Sequence, residues 1–417
     1  MAVESAAYAK LGVSTSKEAV HDVVDQNDQS IFPGAFCKAW PSLSGNLGTC
    51  MLDHVDGAGT KAALAWLVYL TQIQPHTSAQ VRTELAKSIF AGLAQDALVM
   101  NTDDLLCVGA LGPFHVMNVV DRNRISRADA DPILAAIIGG YHDFAAHIHN
   151  VTKEICGYQD AIHLRIGSGE TADVSDLTPS LLLNVAMVTE MDRRDFINAS
   201  KVKPGHVIVG LASDGQAVWE DRPNSGVRAN GLTLLRHRLL HSDYRAYPDT
   251  FEARLGEKAY AGPCHLADGI PELNGMTVQD ALLSPTRTYL PLMALIFREC
   301  RSQLSAVIHN TGGGQTKGLG FGKGVHYVKD DVPVSPFSQF VQRETQLPDE
   351  DMYPSFNMGW GMEIVCDPKA VATITSLAHA VGIKTHTLGR VESLPNRHGR
   401  KLSITTPRGQ VLSYEAG

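Results

Sequence analysis

Long hydrophobic runs, paired cysteine motifs and an excess of basic charge are all missing from this sequence. The longest uninterrupted apolar run, Ala62–Leu70, is far shorter than the ~20 residues that a membrane-spanning helix needs. The first residues lack the basic start and apolar core of a secretory signal. We therefore expect a soluble protein with no membrane partner.

The charge and cysteine content narrow the class of protein further. The formal net charge is −8, with 36 basic and 44 acidic residues, which argues against nucleic acid or an anionic membrane as the main partner. A small-molecule substrate fits this balance better. The seven cysteines are odd in number and form no CxxC pair, as expected for reduced thiols in a cytoplasmic protein.

The length of 417 residues and the order of predicted elements indicate two α/β domains. A helix is predicted over residues 14–28 and another over 131–150, with strands at 49–55, 114–120 and 181–190. A polar turn at Lys201–Gly205 precedes a new apolar strand, so we place one domain at 1–200 and the other at 201–417.

A glycine-rich bend between a strand and a helix is the most informative single stretch. It runs from His54 to Lys61 with the sequence HVDGAGTK. Glycines let backbone N–H groups approach a phosphate, and the following helix start and Lys61 add positive field. Asp56 has the opposite sign, which suggests a Mg²⁺ ion between it and a polyphosphate. The spacing is not that of a Walker A loop, and a plain tight turn is the alternative.

Three further acidic residues and one histidine are candidates for the same site. Asp103 and Asp104 follow a predicted helix, where they either cap its end or join Asp56 in holding Mg²⁺. Glu170 lies in a predicted loop between glycines, which favours a ligand contact over a helix start. His309 ends an apolar strand just before the TGGG loop at 311–314, so it can serve as a hydrogen-bond donor or proton shuttle there.

Taken together, eight stretches in this order resemble the phosphoribosylformylglycinamidine cyclo-ligases, also called aminoimidazole ribonucleotide synthetases, and identify a divergent member of that family. They are HVDGAGTK at 54–61, MNTDDLLCVGA at 100–110, SGETAD at 168–173, VKPGHVIVGLAS at 202–213, ANG at 229–231, LLSPTRTY at 282–289, HNTGGG at 309–314 and MYPSFNMGWGM at 352–362. Single motifs of this set are weak, but the ordered series is highly specific.

The resemblance implies a fold and a set of site residues. The fold would be a two-domain α/β structure in which the N-terminal sheets of two subunits form one barrel, with a C-terminal α/β sandwich. ATP and Mg²⁺ would bind mainly to the N-terminal domain, with Asp56, Asp104 and Glu170 on the metal and Lys61, His309 and Asp104 as catalytic residues. The implied ATP-binding residues are Asp56, Gly57, Ala58, Gly59, Thr60, Lys61, Asp103, Gly169, Glu170 and Thr171. The implied substrate-binding residues are Ser213, Asn230, Gly231, Arg287, Thr311, Gly312, Gly313, Gly314 and Asn357.

The activity that the resemblance implies is ATP-dependent ring closure in purine biosynthesis. ATP would phosphorylate the formyl amide oxygen of formylglycinamidine ribonucleotide, and an internal nitrogen would displace the phosphate to give aminoimidazole ribonucleotide. The rivals are selenophosphate synthetase, thiamine-phosphate kinase and a non-catalytic ATP-binding regulator. The resemblance to the cyclo-ligases also implies a homodimer.

Overall fold

A computed structural model describes residues 5–12, 23, 27–229, 231–395 and 398–416 of this chain. The predicted site residue Asn230 falls outside these residues. So does almost all of the helix predicted over residues 14–28. The helices are α1 Ala6–Lys10, α2 Lys61–Gln72, α3 Ala79–Leu106, α4 Arg127–Cys156, α5 Leu232–Leu239, α6 Val278–Leu283, α7 Leu290–Cys300, α8 Pro336–Thr345, α9 Asp349–Ser355 and α10 Val371–Ala380.

A five-stranded sheet dominates the first half of the chain. Its strands are β1 Ala39–Pro41, β2 Thr49–Gly57, β3 Phe114–Arg122, β4 Leu164–Asp173 and β5 Leu181–Asp192. The spatial order is β1-β2-β5-β3-β4, with antiparallel pairing throughout except between β3 and β4. Glu170 therefore lies in strand β4, because the segment predicted as a loop continues the ladder with β3.

Among the residues that the structure describes, helices cover only one face of this sheet. Strands β3 and β5 alternate buried and more exposed residues, so every second side chain points to a common buried face. Helix α3 packs against β2 and β5 on that face, and α4 packs against α3. The opposite face exposes Val55 (68%), Leu182 (40%) and Met117 (38%), which is unusual for a sheet this apolar.

The two long helices approach each other closely, and α4 begins earlier than predicted. A Cβ added at Gly140 of α4 would lie 2.9 Å from the Ala91 carbonyl oxygen of α3, so glycine permits the close approach. Helix α4 begins at Arg127, before the predicted start at Asp131. Its first turn is held by tertiary contacts, because Asp129 accepts a hydrogen bond from Tyr69 at 2.9 Å and pairs with Arg82.

A seven-stranded sheet forms the core of the second half. Its strands are β6 Val207–Ala212, β9 Leu304–His309, β10 Val325–Lys329, β11 Trp360–Cys366, β12 Thr385–Ser393, β13 Arg400–Thr405 and β14 Val411–Ala416, in the order β14-β13-β10-β12-β6-β11-β9. A short hairpin of β7 Gly269–Ile270 and β8 Met276–Thr277 stands apart. Strands β9 and β11 are buried along their whole length, although β9 is an edge strand and β11 contains Glu363.

The α/β fold class predicted from the sequence is confirmed. One sheet lies wholly before residue 200 and the other wholly after it, and the division at residues 200 and 201 stays a prediction. The five-stranded sheet does not close into a barrel within one chain. Among the described residues, no helix has the length and apolar character needed to cross a membrane.

Candidate active site

The two glycines of the HVDGAGTK bend have different structural roles. Strand β2 ends at Gly57 and helix α2 begins at Lys61, as the sequence predicted. A Cβ at Gly57 would lie 2.0 Å from the Leu183 carbonyl oxygen, so this glycine permits close packing of β2 on β5. Gly59 has φ +55°, and the space around it is open, with only the Ala229 carbonyl oxygen at 4.0 Å. The position open to a ligand is therefore Gly59.

The start of α2 meets the start of a second helix from the other half of the chain. Helix α5 begins after Gly231, which has φ +80°, and the Thr60 and Thr233 hydroxyl oxygens are 2.9 Å apart. Both first turns present backbone N–H groups and the positive ends of helix dipoles, which attract anions. The cradle predicted from one glycine bend is thus built from both halves of the chain.

Lys61 does not lie in this cradle. Its ammonium group is fully buried and is 2.9 Å from Asp96 Oδ1 and 2.5 Å from the Ser284 carbonyl oxygen. Asp96 also accepts hydrogen bonds from the Thr286 backbone N–H and hydroxyl group. Burial lowers the pKa of Lys61, against the opposing effect of Asp96. This arrangement ties α2 to α3 and to the segment after α6.

Asp104 lies at the centre of a buried polar chain. It belongs to the last turns of α3, which extends past the predicted end of that helix. Its Oδ2 is 3.1 Å from His54 Nε2, and its Oδ1 contacts His309 Nδ1. Burial would raise the pKa of Asp104, but hydrogen bonds and charge from the two histidines outweigh it and hold the pKa well below its usual range. At His54, burial lowers the pKa, but the hydrogen bond and charge of Asp104 outweigh it and raise the pKa to about 9.

The polar chain continues from His54 to the strand end that carries Asp56. His54 Nδ1 is 2.9 Å from Asn101 Oδ1, and Asn101 Nδ2 donates to the Asp56 carbonyl oxygen at 3.1 Å. Asp56 Oδ1 accepts the Gly57 N–H at 2.7 Å. Asp56 and Asp104 therefore face the same side of β2, next to the cradle.

Asp103 and Arg228 form a buried ion pair beside Asp104. The Arg228 Nη2 to Asp103 Oδ2 distance is 3.1 Å, both side chains are at most 2% exposed, and the same Nη2 contacts His309 Nε2. Asp103 Oδ1 accepts the Tyr289 N–H at 3.3 Å. Asp103 thus serves the contact between the two halves of the chain, and its placement does not support the predicted ATP contact.

His309 has both ring nitrogens occupied. With Arg228 donating to Nε2, the Nδ1–H donates to Asp104, which assigns one neutral tautomer. Burial and the charge of Arg228 lower the pKa of His309, which favours the same neutral form. The imidazole therefore positions Asp104, and it is not free to act as a proton shuttle. Sequence reasoning missed Arg228, although it adjoins the ANG motif at 229–231.

Glu170 is not brought to Asp56 and Asp104 within one chain. Gly57, Asn184, Val119 and Glu170 form one cross-strand row, which places Glu170 three strand spacings, about 14 Å, from the end of β2. Paired residues share a face, and Val119 lies on the exposed one. Glu170 therefore points to the uncovered side of the sheet, whereas Gly169 and Thr171, which pair with buried Asn118 and Val120, share the helical side with Asp56.

Most of the predicted substrate residues meet around the loop at 213–231. The Ser213 hydroxyl donates to the Gly226 carbonyl oxygen at 3.1 Å, as does Asn357 Nδ2 at 3.0 Å. The loop Thr311, Gly312, Gly313 and Gly314 packs beside them, since a Cβ at Gly314 would lie 2.4 Å from the Phe356 carbonyl oxygen. The space beside Gly312 is open, because a Cβ added there would have no atom within 4 Å.

Arg287 is held away from solvent by the carboxylate of Glu220, which lies in the same loop as Gly226. Its Nε donates to Glu220 Oε1 at 2.9 Å, its Nη2 pairs with the other carboxylate oxygen, and its Nη1 donates to the Asp214 carbonyl oxygen at 2.6 Å. The residue lies in the non-helical segment 284–289 between α6 and α7, and α7 begins at Leu290. A substrate anion would therefore compete with Glu220 for this guanidinium.

Comparison with known proteins identifies relatives along most of the chain. No protein-family model matches it. It is 26% identical over 326 residues to a phosphoribosylformylglycinamidine cyclo-ligase from Methanocaldococcus jannaschii, covering 78% of each chain. It is 25% identical over 390 residues to the enzyme of that name from Streptococcus agalactiae, covering 90% of this chain and 93% of the relative.

Solved structures support the fold. Phosphoribosylformylglycinamidine synthase II from Thermotoga maritima superposes with a TM-score of 0.52 at 13% identity, over 98% of this chain and 50% of that one. The chain thus spans half the length of that synthase. A chain of a HypE-HypF complex matches with a TM-score of 0.51 at 11% identity, over 96% of this chain and 100% of that one. The resemblance seen in the sequence motifs is confirmed by these relatives.

Proposed function

We propose, from the premise that this chain is a divergent member of the phosphoribosylformylglycinamidine cyclo-ligase family, that it catalyses the ATP-dependent closure of formylglycinamidine ribonucleotide to aminoimidazole ribonucleotide. The observation that carries the proposal is the meeting of two helix starts at Thr60 and Thr233, beside Asp56 and Asp104. The seven cysteines are all free thiols, which fits a cytoplasmic enzyme.

The phosphates of ATP fit the junction between α2 and α5. Gly59 leaves its surroundings open, and the first turns of both helices offer backbone N–H groups there. Thr60 and Thr233 can each donate a hydroxyl hydrogen to a phosphate oxygen once their mutual contact is broken. Because the two helices come from different halves of the chain, binding at this point would hold both halves in one arrangement.

Asp56 and Asp104 are the residues that would hold Mg²⁺ in one chain. Both are carboxylates next to the cradle, and oxygen donors suit this hard cation. Bound Mg²⁺ supplies positive charge to phosphate oxygens as their bonding changes. His54 and His309 hold the Asp104 carboxylate in place from two sides. Arg228 holds His309 in turn, so the metal ligand is positioned by residues of both halves of the chain.

The remaining residues would orient the substrate for ring closure. Ser213, Asn357 and the 311–314 loop place hydroxyl, amide and backbone groups around Gly226. Holding the formyl amide near the phosphates and the attacking nitrogen near the formyl carbon lowers the entropic part of the barrier. Lys61 and Asp103 contribute through buried ion pairs that fix α2 and α3, and not through contact with ATP.

The proposed activity is tested with purified protein, Mg²⁺, ATP and formylglycinamidine ribonucleotide. ADP, phosphate and aminoimidazole ribonucleotide should appear in equal amounts. Parallel reactions with thiamine phosphate or selenide should show no substrate-dependent ATP consumption. ATP use with either compound, and none with formylglycinamidine ribonucleotide, would instead assign the chain to another activity of this superfamily.

The uncovered face of the five-stranded sheet fits a second copy of this chain. Val55 and Met117 both pair with Ala186 of β5, which makes a contiguous apolar strip on the exposed face. Burying such a strip against its own copy would close the two sheets into the shared barrel that the family resemblance implies. Glu170 lies on this face, so the proposal places it at the dimer interface rather than on the metal of its own chain.

Light scattering should report about twice the 45.0 kDa chain mass at micromolar concentration. The double substitution Met117→Lys and Val119→Lys should shift the protein to the monomer, because two charges would be buried in the apolar strip. Val411→Lys changes an exposed apolar residue of β14, outside this sheet, and is the control. A wild-type monomer, or a dimer that the double substitution leaves intact, would place the interface elsewhere or exclude it.

A further inference from the structure

We propose that His241, Asp243 and His265 form a binding site for a divalent transition-metal ion of the Zn²⁺ type, separate from the Mg²⁺ site. Within the part of the chain that the structure describes, this is the one group of three or more His, Cys, Asp or Glu side chains whose ligand atoms all lie within 4.8 Å of one another. Neither the sequence motifs nor the proposed ring closure uses these residues.

The donor set and its spacing suit a borderline metal ion. Two imidazole nitrogens and one carboxylate oxygen are the ligands that Zn²⁺ commonly takes, whereas Mg²⁺ prefers oxygen alone. With metal bonds of about 2.0–2.1 Å, tetrahedral donors lie roughly 3.3 Å apart. His241 Nδ1 and Asp243 Oδ1 are already 3.2 Å apart, and the His241 and His265 ring centres are 4.4 Å apart. The three ligand atoms lie within 4.8 Å of one another, so small side-chain rotations would bring them to the distances that a metal requires.

The backbone holds the two histidines side by side. The His241 N–H donates to the Cys264 carbonyl oxygen at 2.8 Å, and parallel bridges join residues 240 and 241 to residues 264 and 262. Asp243 follows in a 3₁₀ turn, Ser242–Ala246, that starts directly after His241. Fixed backbone positions reduce the entropy that a metal must offset when it orders its ligands.

His241 also shows a local electrostatic conflict that a cation would resolve. Its Nδ1 accepts the Asp243 backbone N–H at 3.3 Å, so that nitrogen carries a lone pair in this geometry. The Asp243 carboxylate oxygen faces the same nitrogen at 3.2 Å, which brings two acceptors together. A metal ion bound to both atoms would take the Nδ1 lone pair in place of the long hydrogen bond from the Asp243 N–H and would turn the contact between two acceptors into two ligand bonds.

The site is open to solvent and lies at the end of a functional element. The Asp243 side chain is 70% exposed and that of His241 is 36% exposed, so an ion can enter without unfolding the segment. The site follows directly after α5, whose first turn contributes Thr233 to the proposed phosphate cradle. A bound ion would fasten the C-terminal end of α5 to the segment around Cys264.

The chain contains a matched pair of histidines that serves as a control. His149 and His163 have the same ring separation, 4.4 Å, and a similar interplanar angle of 37° against 34°. The His149 Nδ1 lies 3.3 Å from the Ile162 carbonyl oxygen, which occupies it as a donor. Among the described residues, no third ligand joins this pair. If stacked histidines alone bound the metal, both pairs would bind it equally. The proposal predicts binding only at His241 and His265.

The test is a Zn²⁺ titration of the full-length, chelator-treated protein against a chromophoric competitor, without ATP. Wild type should contain a tight equivalent that His265→Gln and Asp243→Asn each weaken by about 10²-fold or more, while His163→Gln titrates like wild type. The exposed Asp243 makes its substitution safe for folding, and melting of the metal-free proteins checks this. Zn²⁺ should raise the melting temperature of wild type more than that of Asp243→Asn. Identical titrations for wild type and both site variants would overturn the proposal, as would equal losses with His163→Gln.

Discussion

Replacing Asp104 with asparagine should lower ring-closure activity by about 10²-fold or more per folded molecule. The proposed role of this carboxylate is to hold Mg²⁺ beside the phosphates, and an amide cannot supply the same negative charge. Titration calorimetry should show weaker Mg²⁺·ATP binding as well. Because Asp104 also contacts His54 and His309, we expect a stability loss on the order of 1–3 kcal/mol, which urea unfolding measures separately.

Asp103→Asn is the neighbouring comparison, and its expected effect is of a different kind. The sequence alone leaves Asp103 either as a residue at a helix end, where asparagine would cost little, or as a Mg²⁺ ligand. The structure places Asp103 in a buried pair with Arg228, and removal of one partner of such a pair typically costs about 3–5 kcal/mol. Its folded fraction should keep most of its Mg²⁺·ATP affinity. Equal Mg²⁺·ATP binding and activity in the two variants would remove Asp104 from the metal site.

Lys61→Met should destabilise the protein by about 3–5 kcal/mol, because it leaves the Asp96 carboxylate buried without its cation. Asp96 would keep only the hydrogen bonds from Thr286. The double substitution with Asp96→Asn should recover part of this loss, since both charges are then removed together. Urea unfolding of the four proteins forms a double-mutant cycle, and exposed Lys87→Met is the control for loss of a lysine.

Activity measurements separate the buried role of Lys61 from the catalytic role that the sequence suggested. If Lys61 acts through packing, its folded variant and the double variant should bind Mg²⁺·ATP within a few fold of wild type. If Lys61→Met kept wild-type stability but no longer bound ATP, the result would support the predicted contact between Lys61 and a phosphate. It would also contradict the buried placement of this side chain.

Local patterns in the sequence determined much of the architecture. The glycine bend between β2 and α2, the largely apolar strands β9 and β11, and the hairpin of β13 and β14 all follow from periodicity and turn chemistry over a few residues. The ordered motifs also predicted which stretches approach one another, and the relatives confirm the resemblance. These features depend on residues that are close together in the sequence, so the sequence alone predicts them.

Only the tertiary structure decided what each charged side chain contacts. Lys61 reaches Asp96 and Ser284, and Asp103 reaches Arg228, across 35 to 223 positions of sequence. Strand β4 lies three strands from β2, and its register with β3 puts Glu170 on the opposite face from Asp56. A motif gives the identity of a side chain and its place along the chain. Its partners are set by which elements pack together, because a charge is buried only where another part of the fold brings a group to compensate it.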